Sequence, residues 1–453
     1  MTKLWLFTDT HLFLRDPMPK EAPHVDQKCM LESAAILDAA LAEFLAEPDC
    51  DILLLSGDLS CDGHAEEHKG FIERMRRVQA AGKRVIAITA THDFDQTHGD
   101  ERNESGLPPL EHPEGKVFRD ELPGLYYEFG PRDAIARCEA DGFSYTAQLA
   151  PGYRLLCLND DGNGRSYCGF DASVMAWALA QIAEAKAAGE YIFGMTHHPS
   201  QPPTPIYPLI SKRDMLGDWE EVTRTLANAG LRCLFTGHSH MNNIAPIVTP
   251  EGNPYWDVNT AALSGYPGVF RVLELEDGRL HVTTRAIQDF VWDKGDMSAR
   301  AYLQKHFDFL LRGIIESAAN DIHQLAMHAV GFSVDPKTVL KFRVPITLIG
   351  KFANKVTVGG LGALLWCRHK MPKAARSLSV KELFLEFVRN IFAGEEHYGP
   401  ETPVGQSLLA VAHRLEPFLR KPLAKIGVDN IPAFLLSLVY DETPDDQVEI
   451  ALG

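Results

Sequence analysis

Residues 3–11 read KLWLFTDTH, an apolar, β-rich run that leads directly into Asp9, Thr10 and His11. Such a run is typical of a buried strand, with the polar residues at its carboxyl end. The same arrangement occurs four more times, where short polar islands follow residues 51–56, 84–89, 191–196 and 231–236: Gly57-Asp58, Thr91-His92-Asp93, His197-His198-Pro199 and Gly237-His238-Ser239-His240.

Helical patterns separate several of these runs. They cover residues 28–45, 65–80, 174–188 and 219–229. Strands that alternate with helices favour parallel pairing, and functional groups then gather beyond the carboxyl ends of the strands. The pattern therefore predicts an α/β protein in which the five polar islands meet.

The islands are rich in aspartate and histidine, which are metal-binding residue types. A carboxylate can bridge two cations, and neutral imidazole favours zinc, iron, manganese or cobalt. Two metals about 3.5–4 Å apart can clamp the attacking and leaving oxygens of a phosphoryl displacement. These residue types therefore suggest phosphoester hydrolysis at a binuclear metal centre.

In order and spacing, the islands resemble the calcineurin-like metallophosphoesterase superfamily, over roughly residues 1–290. The pattern of that superfamily is D-x-H, G-D, G-N-H-[DE], H and G-H-x-H. The resemblance implies a four-layer α-β-β-α sandwich, in which two sheets pack face to face between helices. Within the superfamily, the islands look most like the phosphodiesterase branch, which includes bacterial cyclic-nucleotide and glycerophosphodiester phosphodiesterases.

The resemblance also implies roles for the island residues. Asp9, His11 and His240 would bind one metal, His197 and His238 would bind the second, and Asp58 would bridge the two. His92 would lie beside the substrate phosphate and stabilise its charge or the leaving oxygen. A hydroxide held between the metals would attack phosphorus in line with the leaving alkoxide.

One island departs from the superfamily pattern. Where the pattern has Gly-Asn, this chain has Ala90-Thr91, so a hydroxyl replaces the amide ligand of the second metal. Thr91 could ligate directly if the loop shifts inward, a water could bridge, or the second site could be weak. We expect a weakened or water-completed second site rather than direct ligation. The implied cofactors are two divalent or trivalent ions of manganese, iron, zinc or cobalt.

Residues beside the islands could support the chemistry. His198 follows a candidate ligand and is predicted to face substrate. An imidazole needs a carboxylate or carbonyl to fix its tautomer, so Asp93 or Asp62 could orient His92. Asp93 is the predicted catalytic partner, because residues 60–63, which include Asp62, read as a turn. The remaining histidines near the islands are predicted to be solvated surface residues: His24, His64, His68 and His98.

Length and composition fit a cytoplasmic enzyme. The chain has 453 residues, of which 45% are hydrophobic, enough for a large core and two domains. The first predicted strand begins almost at residue 1, so we predict no signal peptide, and no membrane span is apparent. Its eight cysteines lack C-x-x-C spacing, which argues against a zinc ribbon or a disulfide framework.

The formal net charge of −17 argues against a protein built to hold nucleic-acid backbones. Bound metals would themselves supply positive charge for a phosphate. We therefore expect a small phosphorylated substrate as the partner and no nucleic acid.

The pattern changes after residue 295. Helical periodicity covers residues 299–325, 381–392, 406–419 and 432–440. We predict a catalytic domain over residues 1–295 and an all-α accessory domain over residues 296–453. The accessory domain could act as a lid, as a homodimer contact or as a surface-binding module.

Within the accessory domain, residues 337–376 contain nine lysines and arginines and no aspartate or glutamate. This segment could bind anionic lipid, or it could form a basic rim that draws in phosphate-bearing substrate. It could also be an amphipathic region whose apolar face packs on the catalytic domain or another subunit, which we favour because apolar stretches usually belong to a core.

The predicted function is hydrolysis of a small phosphodiester. Two alternatives stay open. A phosphomonoesterase or nucleotide pyrophosphatase would use the same ligands with different loops. Loss of a ligand at Thr91 could instead leave a catalytically weakened protein that binds a phosphorylated ligand.

Overall fold

The computed structural model describes residues 1–16, 26–95, 115–161, 168–330, 336–425 and 427–453. These residues form two compact units. The first comprises Met1–Pro203, Arg213–His306 and Asp445–Gly453, and the second comprises Thr204–Lys212 and Phe307–Pro444. His24 and His98, which were predicted to be solvated, lie outside the described residues.

The strands belong to the first unit and form two mixed sheets. In chain order they are β1 (Thr2–Phe7), β2 (Cys50–Ser56), β3 (Arg84–Ile88), β4 (Ala136–Arg137), β5 (Tyr145–Ala150), β6 (Tyr153–Cys157), β7 (Tyr191–Met195), β8 (Cys233–Thr236), β9 (Asn243–Val248), β10 (Pro254–Asn259), β11 (Val269–Glu276), β12 (Arg279–Ala286) and β13 (Gln447–Ala451).

The strands that precede the polar islands lie together within each sheet. The first sheet has the order β13-β12-β11-β1-β2-β3, and β1, β2 and β3 run parallel. The second has the order β4-β5-β6-β7-β8-β10-β9, and β6, β7 and β8 run parallel. Parallel pairing brings the carboxyl ends of neighbouring strands to the same edge of a sheet.

The helices flank these sheets or build the second unit. In chain order they are α1 (Ser33–Ala46), α2 (Ala65–Ala80), α3 (Leu122–Leu125), α4 (Ala172–Ala187), α5 (Tyr207–Ile210), α6 (Trp219–Ala229), α7 (Ala299–Asn320), α8 (Ile322–Val330), α9 (Pro336–Lys341), α10 (Arg343–Ala353), α11 (Val358–Leu364), α12 (Val380–Ala393), α13 (Pro403–Ala424) and α14 (Ile431–Ser437).

Alternation of side chains along the strands produces the layers. Leu4 of β1 and Phe193 of β7 belong to one buried cluster that both sheets share. Trp5 points to the opposite face of its sheet, because successive strand residues alternate, and its ring lies 5.5 Å from that of Phe44 in α1. Apolar residues of α4 and α6 cover the outer face of the second sheet. The predicted α/β fold with a four-layer core is confirmed.

The second unit is helical, as predicted. Side-chain oxygens cap the amino termini of several of its helices by accepting a backbone N–H three residues later. The capping residues are Thr357, Ser379, Thr402 and Asn430. Such caps satisfy amide groups that a helix leaves unbonded, so the sequence defines these helix starts locally.

Strand β13 shows that the chain returns to the first unit. It pairs antiparallel with β12 at the edge of the first sheet. Just before it, the Asp445 carboxylate accepts the backbone N–H of Ile244 at 2.6 Å, and the Asp445 carbonyl accepts from Arg271 at 2.7 Å. The accessory domain was predicted to be all-α over residues 296–453, a range that contains this strand, and its boundaries stay a prediction.

Among the described residues, no helix has the length and apolar character that a bilayer span requires.

Candidate metal centre

The five islands follow β1, β2, β3, β7 and β8, and backbone hydrogen bonds tie their loops together. The N–H of Asp9 donates to the carbonyl of Gly57 at 3.1 Å, and the N–H of Gly237 donates to that of His197 at 2.8 Å. The N–H of His238 donates to Asp9 Oδ2 at 3.0 Å. Loops that are distant in sequence are thereby fixed against one another.

Many of the candidate ligands have left-handed backbone conformations. These residues are Asp9 (φ 50°), His11 (φ 38°), Asp58 (φ 52°), His238 (φ 63°) and His240 (φ 58°). A non-glycine residue in this region costs about 1–2 kcal/mol and persists only where its surroundings impose it. The loop bonds and the burial of these residues supply that constraint.

Two island glycines are required by close packing. A Cβ atom at Gly57 would lie 2.6 Å from Ala90 Cβ and 2.8 Å from His197 Nδ1. A Cβ atom at Gly237 would lie 2.5 Å from Asp9 Oδ2. Any side chain at either position would therefore displace a candidate ligand or its loop.

The first ligand cluster consists of Asp9, His11 and His240, all of which are buried. His11 Nε2 lies 3.1 Å from His240 Nε2, and Asp9 Oδ1 lies 3.6 Å from the former and 3.3 Å from the latter. Three lone-pair-bearing atoms therefore converge on one small volume.

The second ligand cluster consists of Asp58, His197 and His238. His197 Nε2 lies 3.1 Å from Asp58 Oδ2. The side chain of His238 is 18% exposed and lies 4.0 Å from Asp214, so this cluster is the more open of the two.

The two clusters adjoin each other. Asp9 Oδ1 lies 3.9 Å from His197 Nε2, and Asp58 Oδ2 lies 3.9 Å from His11 Nε2. Asp58 therefore faces both clusters, which is the position that a bridging carboxylate needs.

His92 lies beside the first cluster and between two charged side chains. Its ring packs edge-on against that of His11, with centroids 5.0 Å apart. Its Nδ1 lies 2.5 Å from Asp62 Oδ1, and its Nε2 lies 3.2 Å from Lys28 Nζ. Its backbone N–H donates to Asp58 Oδ1 at 2.9 Å. The carboxylate that contacts the ring is thus Asp62.

Asp93, the predicted partner of His92, binds backbone N–H groups rather than the His92 ring. Its carboxylate accepts the backbone N–H groups of Leu59, Ser60 and Ala90, each at 2.8 Å. These bonds join the loop after β2 to the loop after β3. Orientation of His92 by Asp93 is corrected to orientation by Asp62, because the Asp93 oxygens are occupied by backbone donors.

His68 was predicted to be solvated, which is wrong. It is 1% exposed, its Nδ1 lies 2.8 Å from the hydroxyl of Tyr126, and its Nε2 lies 2.9 Å from the carbonyl of Asp93. Its place on the buried face of α2 was hidden by the surrounding polar sequence. His64, just before α2, is partly exposed.

His198 is buried behind the second cluster. The centroid of its ring lies 4.0 Å from that of His238, with the rings tilted by 35°, and its Nδ1 lies 2.9 Å from Asp160 Oδ1. Asp160 Oδ2 also accepts the backbone N–H groups of His197 and His198 at 3.2 and 2.7 Å. The structure therefore surrounds His198 with protein groups, and its predicted contact with substrate stays a prediction.

Thr91 opens the short helical turn Thr91–Asp93 and is 8% exposed. It lies between Ala90, which packs near Gly57, and His92. The turn places Thr91 at the carboxyl end of β3, and the weakened or water-completed second metal site expected there stays a prediction.

Comparison with known proteins identifies the family. The sequence model described as calcineurin-like phosphoesterase matches residues 2–242, which is more than half of the chain. The chain belongs to this family. A comparison with curated protein sequences returned no match.

Solved structures of phosphoesterases are distantly similar. A dimetal phosphatase from Danio rerio is 14% identical with a TM-score of 0.47, covering 63% of this chain and 96% of its own. The NAD nucleotidase of Haemophilus influenzae is 11% identical with a TM-score of 0.32, covering 79% and 61%. The phosphopantetheinyl hydrolase of Mycobacterium tuberculosis is 14% identical with a TM-score of 0.29, covering 58% and 90%.

Members of the calcineurin-like phosphoesterase family typically bind two divalent metals, and the residues of this chain fit such ions. Among the described residues, Asp9 Oδ1 and His197 Nε2 are buried without completing a hydrogen bond. Two ligands held about 2.1 Å from one ion lie about 3.0–3.4 Å apart, close to the separations within the first cluster. A cation would satisfy these atoms.

Charge within the clusters also favours cation binding. Burial raises the pKa values of Asp9 and Asp58, but neighbouring imidazoles, His197 foremost, lower both well below their usual range. Burial lowers the pKa of His197, but Asp58 and Asp9 raise it to about 10. Burial and Lys28 lower the pKa of His11 to about 3. Without metal, His197 thus holds a proton beside the two carboxylates, and metal binding would displace it.

Sequence reasoning missed Lys28 and Asp160 as site residues. Asp160 could have been found, because it follows a predicted strand as the island residues do. Lys28 follows no strand and belongs to no motif. It reaches the site because the N–H of Cys29 bonds to the carbonyl of Ser264 at 2.7 Å, which places this segment beside the loop after β10.

Proposed function

We propose that this member of the calcineurin-like phosphoesterase family is a metal-dependent phosphodiesterase that hydrolyses a small phosphodiester. The observation that carries the proposal is the pair of adjoining Asp/His clusters, with their unsatisfied buried atoms, next to the His92 ring and the Lys28 ammonium group. A cytoplasmic location is part of the proposal, as the sequence predicts.

In this proposal the first cluster binds one ion and the second cluster binds the other. Asp58 would help to hold both ions, because its Oδ2 lies 3.1 Å from His197 and 3.9 Å from His11. Bound divalent ions supply Lewis-acid charge and lower the pKa of water, so that a nucleophile exists at neutral pH. Manganese, iron, zinc and cobalt all suit mixed nitrogen and oxygen ligands.

His92 and Lys28 form the cationic side of the proposed site. Burial and Lys28 lower the pKa of His92, whereas Asp58 and Asp62 raise it by a larger amount. The pKa of His92 is therefore above its usual value. Asp62 Oδ1 lies 2.5 Å from Nδ1, and Lys28 Nζ lies 3.4 Å from Nδ1 and 3.2 Å from Nε2. Nε2 and the Lys28 ammonium group would together offset charge on the phosphate and hold a proton near the leaving oxygen.

Two observations bear on the kind of ester. The island sequences look most like the phosphodiesterase branch, which supports a diester. Lys28 adds a positive charge that would also stabilise a dianionic phosphate, and this favours a phosphomonoesterase or nucleotide pyrophosphatase as the alternative. Thr91 supports a third candidate, a phosphate-binding protein with a weakened second metal site.

The test is hydrolysis of bis-p-nitrophenyl phosphate and p-nitrophenyl phosphate by metal-stripped protein titrated with manganese, zinc, iron or cobalt. We expect faster diester turnover, rising as two metals bind per chain. Faster monoester turnover would replace the proposal with the monoesterase alternative. One tight metal with phosphate binding but no turnover would favour the binding protein.

A further inference from the structure

We propose that α10 and its flanking basic residues form a docking surface for an anionic lipid membrane, on which the helix lies in the interfacial plane. This inference does not depend on the proposed hydrolytic function. The surface, called the α10 face below, consists of Val344, Leu348 and Phe352 together with Arg343, Lys351 and Lys355.

The apolar residues of the α10 face are exposed on one side of the helix. Val344, Leu348 and Phe352 are 62%, 63% and 40% exposed. They are spaced four residues apart, so they lie on the same face of a helix. Large apolar residues normally become buried, and a contiguous exposed stripe of them indicates a binding surface.

Packing on the other side of α10 fixes this orientation. Gly350 is buried, and a Cβ atom there would lie 2.8 Å from the backbone nitrogen of Ala319 in α7. Gly350 is two residues from both Leu348 and Phe352, which is about 200° around a helix of 3.6 residues per turn. The helix therefore contacts its own unit through Gly350 and directs the apolar stripe outward.

The positive charge of the α10 face favours an anionic lipid surface as the partner. Arg343, Lys351 and Lys355 are exposed, and within the described residues none of them forms an ion pair. They belong to residues 337–376, which contain nine basic residues and no acidic residue in a chain of net charge −17. Basic residues beside an apolar stripe match an anionic lipid surface, where headgroups attract the cations and acyl chains accept the apolar groups.

Length favours interfacial binding over membrane insertion. Helix α10 has 11 residues, so it is about 16 Å long, whereas a bilayer span needs about 30 Å. An amphipathic helix of this kind lies in the plane of the headgroups. Lysine side chains can then extend from the apolar face toward the phosphates.

Trp366 supports the same partner. It is 78% exposed and has a left-handed backbone (φ 56°) within the basic segment. The Arg414 guanidinium group lies 5.6 Å from its ring centroid. Tryptophan is enriched at membrane interfaces because its ring is amphipathic, and a strained backbone that exposes so large a ring is typical of a functional position.

The test measures binding of the full-length protein to vesicles of phosphatidylcholine alone and of phosphatidylcholine with phosphatidylglycerol. We expect binding only to the anionic vesicles and a decrease with salt. The triple variant Val344→Ser, Leu348→Ser, Phe352→Ser and the double variant Lys351→Glu, Lys355→Glu should each lower the partition coefficient at least tenfold.

Matched controls are Val248→Ser, at a position that is 69% exposed on β9, and Lys69→Glu, at an exposed position of α2. Neither should change vesicle binding. Circular dichroism of each variant excludes unfolding as the cause of a loss.

Three results would overturn the proposal. The first is equal binding to both vesicle types, and the second is binding that the apolar triple variant leaves unchanged. The third is self-association in sedimentation velocity that the triple variant abolishes, without vesicle binding, which would make the α10 face a contact between two copies of this chain.

Discussion

The two ligand clusters of the candidate metal centre differ in burial and in what surrounds them. In the first cluster, the Asp9 and His11 side chains are 0% exposed, and His92 and Lys28 adjoin it. In the second cluster, His238 is 18% exposed, and a threonine stands where the family pattern has an asparagine. We therefore expect one ion to be held tightly and the other more weakly.

Given this asymmetry, we expect the two clusters to have different tasks. A buried cluster of convergent ligands retains its ion, because dissociation would leave an uncompensated carboxylate in a medium of low polarity. A more open cluster exchanges its ion more easily and can admit a substrate oxygen. Occupancy of the second cluster should therefore limit activity at low metal concentration.

The largest expected effect is that of Asp9→Asn. Its Oδ1 faces ligands of both clusters, so the substitution should remove the tightly held ion. The activation free energy of hydrolysis should then rise by several kcal/mol, which lowers the rate about 1,000-fold. Metal analysis and turnover measure both effects.

His238→Ala should leave one ion bound, and loss of both ions would contradict the asymmetry. Asp16→Asn, at an exposed position, is the control.

Lys28→Met tests the cationic side of the proposed site, which His92 and Lys28 form. Loss of the ammonium group near His92 should lower kcat/KM by about 100-fold, as removal of a charge-stabilising donor does in other enzymes. Inorganic phosphate should also bind more weakly, which calorimetry measures independently of turnover. Lys69→Met removes an equivalent charge from an exposed position of α2 and should change neither kcat/KM nor phosphate binding. Unchanged phosphate binding by Lys28→Met would exclude this role.

Thr91→Asn should reduce the asymmetry. The longer amide restores the ligand type of the family pattern, so the second ion should bind about tenfold more tightly, while the first is unaffected. Competition with a chelator measures both affinities. Thr91→Ser keeps the hydroxyl and should resemble the parent protein. If Thr91→Asn left stoichiometry and affinity unchanged, Thr91 would have no part in metal binding.

The last prediction concerns the pH dependence of stability at His68, whose Nε2 lies 2.9 Å from the carbonyl of Asp93 in the turn that carries Thr91. Burial lowers the pKa of His68 from 6.5 to about 4. Between these values the unfolded chain binds a proton that the folded protein excludes, so stability is lost as pH falls, by roughly 3 kcal/mol at most. Urea unfolding of metal-free protein between pH 7 and about 4 should show this slope. His68→Gln should flatten it, and an unchanged slope would assign it to other groups.

The ligand clusters could be predicted from the sequence because their metal-binding residue types follow the ends of predicted strands. Asp9, Asp58 and His197 each follow an apolar run, and parallel pairing brings such ends together without knowledge of loop structure. The order of the islands then identified the family. The α/β class and the meeting of the islands therefore followed from local pattern and topology, whereas the four-layer sandwich and the assignment of ligands to each metal followed from the resemblance to the family.

Residues that reach the site through tertiary contacts could not be predicted in the same way. Lys28 precedes a helix and has no motif, and Asp62 lies in a segment that reads as a turn. Asp93 follows His92 directly, so adjacency suggested a contact that backbone donors prevent. Sequence order does not specify which of two nearby carboxylates an imidazole meets.

Strand β13 has a consequence for dissecting this protein. Because β13 completes the edge of the first sheet, residues 307–444 are an insertion between β12 and its edge partner rather than an appended tail. A chain that stops after residue 306 would expose the backbone donors and acceptors of β12, which invites pairing with other chains. A shortened chain that is meant to keep the first sheet intact must therefore retain β13 as the edge partner of β12.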